Sequence, residues 1–210
     1  MTFAVGLAYV MKRGVPYEEY MPLFVALLEV PSIVVGMLLA RLQSLKTVQW
    51  GPIAHEIFLG KSVVLLVGGL FIGWAAGPTG LDPMRGLFFD LFNGVLALFL
   101  LEVGLVTASR VGDLKRAGLF LIAFAVLVPL LFAVIGAVLG KVIVLSLGGT
   151  TLLAVLAASA SYIAAPAAVR IAIPEANPTL SIGAALAINF PFYFTIGVPL
   201  YYQLSLLLHK

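Results

Sequence analysis

The chain contains no cysteine, and only 10% of its 210 residues are charged. The lack of cysteine excludes disulfides, thiol nucleophiles and Cys-ligated metals within this sequence. Charged residues make up about a quarter of an average globular protein, so a chain this poor in charge does not have the composition of a water-soluble domain. Hydrophobic residues make up 62% of the sequence and the mean hydropathy is +1.16. These values predict an integral membrane protein, with the lipid bilayer as its surroundings.

Several motifs that carry other functions are also missing. The twelve Lys and Arg residues are scattered singly or in pairs, without the basic stripe and interleaved aromatics of a nucleic-acid surface. No Ser/His/Asp set, P-loop or dinucleotide fingerprint is present. The two histidines, His55 and His209, have no further ligands at metal-binding spacing. We therefore predict no catalytic residues, no metal site and no cofactor, and we expect that the protein is not an enzyme.

Apolar segments suited to membrane helices recur along the chain. A helix needs about 20 apolar residues to cross a bilayer. Besides five nearly uninterrupted segments, a sixth from Thr150 to Ile173 is broken, and the apolar start "TFAVGLAYVM" is only half a span long. We interpret that start as the second half of another broken helix. The fold class is thus an all-α polytopic membrane protein with about six spans and an N-terminal half-helix. The five spans are 20–40, 62–77, 86–108, 117–140 and 180–208.

The connections between these spans predict how the chain is oriented. They are a linker at 41–61, a Pro/Gly turn at 77–85 and a short basic connection at 109–117. Alternating the sides places seven basic residues on one face and five on the other, so the positive-inside rule makes the first face cytoplasmic and leaves the C-terminus outside. The first face has Arg41, Lys46, Lys61, Arg110, Lys115, Arg116 and Arg170; the second has Lys12, Arg13, Arg85, Lys141 and Lys210.

The broken segment has the composition of an ion-binding crossover. In "SASYIAAPAAVRIAIPEANP" (159–178), small residues precede Pro166, which lacks an N–H and disfavours helix before it. We expect unwinding between Ser161 and Pro166, then a half-helix to Ile173 whose free N–H groups attract an anion at the membrane centre. A kinked helix packed closely through its small residues is the alternative, and the motif alone favours neither. The candidate anion-binding residues are Ser159, Ser161, Ala164 and Ala165.

Two stretches of the chain share one plan and suggest an inverted repeat. Segments 14–36 and 172–197 each place a proline turn before a long helix, in which a polar residue lies two positions before a proline. The pairs are Glu29 with Pro31 and Asn189 with Pro191. An odd number of crossings separates the copies, as in secondary transporters with inverted repeats, although prolines in membrane helices can also match by chance. The predicted organisation is the end of a first repeat (1–40), a cytoplasmic linker (41–61) and a second five-helix repeat (62–210) with its broken helix at 150–173.

The stretch "LAASASYIAAPAAVRIAIPEANPTLSIGAALAI", with its A-N-P motif at 176–178, resembles the second broken helix of the sodium-dependent bicarbonate transporter family of bacteria. Segments 86–118 and 2–31 resemble other parts of that family. The resemblance implies two inverted five-helix repeats, of which this chain is expected to lack three and a half helices, and leaves Thr2 as the remnant of the first half-site. It also implies Na⁺-coupled bicarbonate symport by alternating access in the inner or plasma membrane. A PII-like regulatory protein and a homo-oligomer are the expected partners.

One departure from the family leaves the coupling ion open. Tyr162 stands where the family has an aspartate, so a carboxylate that could bind a cation is missing. The alternatives are a proton- or sodium-coupled carrier of another organic anion, related to bile-acid-type carriers, and a noncatalytic membrane scaffold.

The candidates for ion coupling are Asn189, Glu29, Glu102 and Ser159. Charges inside a membrane are rare and often functional, although each glutamate could instead be part of a buried ion pair or be a protonated acid. Asn189 can both donate and accept hydrogen bonds. The G-x-x-x-G spacings at 68–77 and 136–140 predict close helix packing.

Overall fold

The computed structural model describes residues 2–41, 61–161 and 182–210. All regular structure in these residues is helical, which confirms the all-α class. A 3₁₀ turn (Asp82–Met84) and a π-helical turn (Gly86–Asp90) connect the third helix to the fourth. The predicted linker and the second half of the broken helix lie outside the described residues. The helices are α1 (Thr2–Lys12), α2 (Met21–Arg41), α3 (Lys61–Gly80), α4 (Phe92–Val142), α5 (Leu147–Ala157) and α6 (Ala184–Leu208).

Three stretches of the described residues are long and apolar enough to cross a membrane. They are Gly86–Ser109, Gly118–Val142 and Ala184–Leu208. These stretches coincide closely with the spans predicted at 86–108, 117–140 and 180–208. The apolar parts of α1, α3 and α5 are shorter than a full span. The total of six crossings and the inverted repeat stay predictions.

Left-handed glycines mark where two of the helices are interrupted. Gly77 (φ 67°) ends the straight part of α3 at the start of the predicted turn. Gly118 (φ 70°) divides α4 into α4a (92–117) and α4b (119–142). The connection predicted at 109–117 is itself helical, so the change of direction comes later than expected. A glycine adopts this conformation without the steric cost of a Cβ, whereas the preceding residues are mostly compatible with a helix.

Helix α5 lies at the centre of the described structure. Residues 148–156 are buried on every face of the helix, as expected of a helix that is apolar all round. On one side, α5 packs with α4b and α6 around Val155 and Tyr193. On the other, it packs with α1 and α2 around Val10 and Leu152. The helix begins at Leu147, slightly earlier than the apolar run predicted from Thr150, because the Ser146 side chain caps its first turn.

The glycines of the 136–140 motif bring α4b and α5 into backbone contact. A Cβ on Gly136 would lie 2.9 Å from the Ala154 Cα, and a Cβ on Gly140 would lie 2.9 Å from the Thr150 Cα. The packing role predicted for this motif is therefore confirmed. At Gly73, in the other motif, a Cβ would have no atom of the described chain within 4 Å.

Candidate functional site

The candidate site lies where α5 ends. The last helical residue is Ala157. The backbone N–H of Ser159 donates to the Leu156 carbonyl at 3.1 Å, a hydrogen bond of the 3₁₀ type that is common where an α-helix ends. The helix therefore ends before Ser161, earlier than the predicted break. That prediction relied on the proline, whereas helices in proteins persist chiefly where their side chains pack. The run of Ala and Ser at 157–161 offers little side chain for such packing.

A tyrosine from α6 caps the end of α5. Carbonyls in the last turn of a helix have no partner within the helix. The Tyr193 hydroxyl donates to one of them, the Val155 carbonyl, at 2.5 Å, and the tyrosine side chain is fully buried. The sequence reasoning missed Tyr193. Two features of the sequence could have pointed to it. Tyr193 lies four residues after Asn189, so the two side chains are on the same face of a helix. A buried tyrosine also usually has a hydrogen-bond partner for its hydroxyl.

The first turn of α1 reaches the same place. Thr2, the predicted remnant of a first half-site, is buried, and its side chain lies near that of Tyr193. One turn later, a Cβ on Gly6 would lie only 2.7 Å from the Val155 Cγ1, so α1 and α5 touch closely. Tyr193 therefore lies where the start of α1 meets the end of α5.

Asn189 occupies a buried position one turn before Tyr193. Its Nδ2 donates to the Ala125 carbonyl at 3.0 Å. That carbonyl needs an external donor because the residue four positions on is Pro129, which has no N–H. The side chain is 2% exposed, and its Oδ1 has no hydrogen-bond partner among the described residues. Asn189 thus presents an unpaired amide oxygen inside the protein.

The backbone of α6 is irregular around Asn189. Residues Ala184–Asn189 and Tyr193–Gly197 form two π-helical segments, and such segments are frequent at functional sites. Pro191 provides no N–H to the preceding turn, and the Thr107 hydroxyl donates to the Leu186 carbonyl at 2.8 Å. A side chain of α4a thereby replaces a backbone donor that the proline removes.

The predicted serines lie just beyond α5, beside the α6 cluster. Ser159 and Ser161 are exposed, and Ala160 between them packs against a cluster that includes Leu186 and Phe190. Ser159 and Ser161 are therefore near the helix that carries Asn189. Ala164 and Ala165 lie outside the described residues.

Glu29 and Glu102, the two predicted glutamates, do not contact these residues. Glu102 is exposed, and Glu29 is half-buried on α2. Neither carboxylate forms a hydrogen bond or an ion pair with another residue in the described part of the chain. The structure therefore places them apart from the hydrogen bonds of Tyr193 and Asn189.

This apolar part of the structure contains several oxygen groups. They are the amide oxygen of Asn189 on α6, the carbonyls at the end of α5, and the hydroxyls of Tyr193 and the nearby serines. The C-terminal end of a helix carries partial negative charge. Hard cations prefer oxygen ligands of this kind, and broken helices in secondary transporters present such carbonyls to Na⁺.

Comparison with known proteins assigns the chain to a transporter family. A search of curated proteins finds no match. Residues 1–206 match the family described as the Na⁺-dependent bicarbonate transporter superfamily. The match covers nearly all of the chain and agrees with the resemblance predicted from the broken-helix motif. The chain therefore belongs to the Na⁺-dependent bicarbonate transporter superfamily.

Proposed function

We propose that this membrane protein takes part in Na⁺-coupled symport of bicarbonate, or of a similar small anion, by alternating access around the end of α5. The family supports transport in general. The observation that carries the choice of Na⁺ is the buried, unpartnered Oδ1 of Asn189. A buried acceptor without a partner costs about 1–3 kcal/mol, which a bound cation would recover.

The chemistry of Asn189 favours Na⁺ over a proton as the coupling ion. An amide does not titrate, so it can bind a metal cation but cannot carry a proton between the two faces of a membrane. The carboxylates that could carry a proton, Glu29 and Glu102, are not joined to the site. The carbonyls at the end of α5 add further oxygen ligands.

The anion is assigned to the segment that follows α5. Ser159 and Ser161 provide hydroxyl groups, and the small side chains between them let an anion approach the backbone. In this proposal the N–H groups near Ala164 and Ala165 complete the anion site, and Thr2 approaches it from α1. A cation and an anion bound at adjacent sites would stabilise each other, which couples their transport.

Uptake into proteoliposomes tests the proposal. Labelled bicarbonate should enter under an inward Na⁺ gradient and not when choline replaces Na⁺. Asn189→Leu should raise the Na⁺ concentration for half-maximal uptake about tenfold or more, the factor that corresponds to a loss of about 1.4 kcal/mol. Thr195→Val is the matched control, because the Thr195 hydroxyl is on the same helix but already bonds within it, to the Pro191 carbonyl.

Na⁺ binding can also be measured without transport. A ligand that binds only the folded state raises the melting temperature, and the rise grows with the ratio of the ligand concentration to its dissociation constant. NaCl should therefore stabilise the wild type and Thr195→Val more than choline chloride does, and Asn189→Leu should lose the difference. Equal uptake in choline, or uptake driven by a pH step without Na⁺, would contradict the proposal.

A further inference from the structure

The peptide group between Leu145 and Ser146 is held from both sides. This peptide lies directly before α5. Its carbonyl oxygen is 3.1 Å from Nε2 of His209, which follows α6. Its N–H donates to Oε1 of Glu18, in the loop between α1 and α2, at 2.6 Å. Three segments far apart in sequence therefore meet at one peptide plane.

The loop that carries Glu18 makes further hydrogen bonds to the start of α5. Ser146 Oγ donates to the Pro16 carbonyl at 2.9 Å and lies 3.2 Å from Glu18 Oε2. The Gly148 N–H donates to the same Pro16 carbonyl at 3.1 Å. A Cβ on Gly148 or Gly149 would collide with this loop. The two glycines are therefore required for the close approach, and the carboxylate lies at the positive end of the α5 dipole.

The His209 side requires a particular protonation state. Nδ1 lies 2.9 Å from the Ser205 carbonyl, while Nε2 faces the Leu145 carbonyl. A carbonyl oxygen only accepts, so both ring nitrogens must carry hydrogen for both bonds to form. In the neutral ring only one bond remains, and Nε2 can instead accept from Thr150 Oγ1, which is 3.5 Å away.

We infer that Glu18 and His209 are positioning residues for transport, which hold the start of α5 fully only while His209 is protonated. Helix α5 has 11 residues and is buried on all faces, so a shift at its start is transmitted to the proposed site at its other end. This role rests on the proposed transport function but does not depend on which anion is carried.

The predicted pH dependence follows from the histidine. Only a ring that carries hydrogen on both nitrogens can donate to both carbonyls, so the start of α5 is held by both bonds where His209 is protonated and by one bond where it is not. Of the charged side chains near this end of the described structure, Glu18 is joined to the imidazole through the peptide. The others, on the loop and at the ends of α1, α4b and α6, are Glu19, Lys12, Arg13, Lys141 and Lys210.

Hydrogen exchange of the full chain in lipid nanodiscs tests this inference. After correction for the intrinsic pH dependence of exchange, the wild type should lose about tenfold protection at residues 145–150 between pH 5.5 and pH 8. His209→Gln should have the lower protection at both pH values. The matched control is His55→Gln, which removes the other histidine and should behave like the wild type.

A second variant distinguishes loss of the Glu18 and His209 contacts from a general loss of folding. Glu18→Gln keeps an oxygen that can accept from Ser146 but removes the charge, so it should lose part of the protection at pH 5.5. Protection at 133–140 should be unchanged in both variants, which shows that α4b and α5 remain packed. Wild-type protection that does not change with pH, or His209→Gln that matches the wild type, would overturn the inference. Because exchange is measured without substrate or Na⁺, this result is independent of the uptake experiment.

Discussion

Buried polar side chains in this protein replace backbone donors that the helices lack. Asn189 donates to a carbonyl left open by Pro129, and Tyr193 donates to a carbonyl in the last turn of α5. In a bilayer an unsatisfied backbone group is costly, because no water is present to pair with it. By the same rule, two buried oxygens without a partner among the described residues are costly: the Oδ1 of Asn189 and the hydroxyl of Tyr201.

Removing the Tyr193 hydroxyl should weaken the contact between α5 and α6. Tyr193→Phe keeps the packed ring but leaves the Val155 carbonyl without its donor. The expected loss is about 1–3 kcal/mol of unfolding free energy. Thermal unfolding in detergent measures this loss.

Tyr202→Phe serves as the control for that experiment. Tyr202 is half-buried and stacks its ring edge-on against Tyr9, with the Arg13 guanidinium over both rings. Because these contacts use the ring and not the hydroxyl, the change should alter stability by no more than about 0.5 kcal/mol. Equal stability of Tyr193→Phe and the wild type would show that the cap contributes nothing.

Sequence reasoning found some of these residues and missed others for physical reasons. Asn189 could be singled out because an amide two positions before a proline is unusual in an apolar span. Tyr193 could not, because its role depends on where a helix 38 residues away ends. Glu102 was selected because intramembrane charge is rare, but the structure leaves it exposed and outside the site.

At the level of helices, the contact between α4b and α5 depends on small residues. Gly136→Leu should therefore destabilise the protein by about 1–3 kcal/mol or more, because the added side chain would overlap the α5 backbone. The matched control is Gly73→Leu, which makes the same change where the described structure leaves open space. Melting temperatures of the two variants check this prediction. Equal losses would contradict it, since the cost would then come from replacing a helical glycine and not from packing.

The bounds of the helices were predictable where length and hydropathy decide them. Spans at 86–108, 117–140 and 180–208 match the structure closely because about 20 apolar residues are needed to cross the bilayer. The helical connection at 109–117 and the early end of α5 were not predicted, since both depend on tertiary packing. The π-helical segments of α6 were also missed, because a shift in hydrogen bonding leaves no trace in hydropathy.

On the scale of the whole molecule, a loop, a turn and the end of a helix lie together on one face of the structure. The loop after α1, the turn before α5 and the end of α6 are joined through Glu18, Leu145 and His209. Counting basic residues along the sequence places Lys12, Lys141 and Lys210 on one side of the membrane, and these contacts agree with that assignment.

Cysteine labelling can establish the orientation, because the native chain has no cysteine. Glu19→Cys and Lys210→Cys should react with a membrane-impermeant maleimide added to intact cells, as the positive-inside rule predicts. Ser109→Cys, near the opposite end of α4a, should react only after the cells are opened. Labelling of Glu19→Cys and Lys210→Cys from different sides would contradict the structure, and labelling of both only in opened cells would reverse the orientation.

The burial of α5 has a consequence for how the protein is made. With 11 residues and a rise of about 1.5 Å per residue, α5 is roughly half as long as the hydrocarbon core of a bilayer is thick. A helix of that length is too short to span the bilayer by itself. Its neighbour α6 is synthesised later, so the groove that encloses α5 is complete only after Tyr193 has emerged from the ribosome. The docking of α5 into its final position is therefore expected to follow the synthesis of α6.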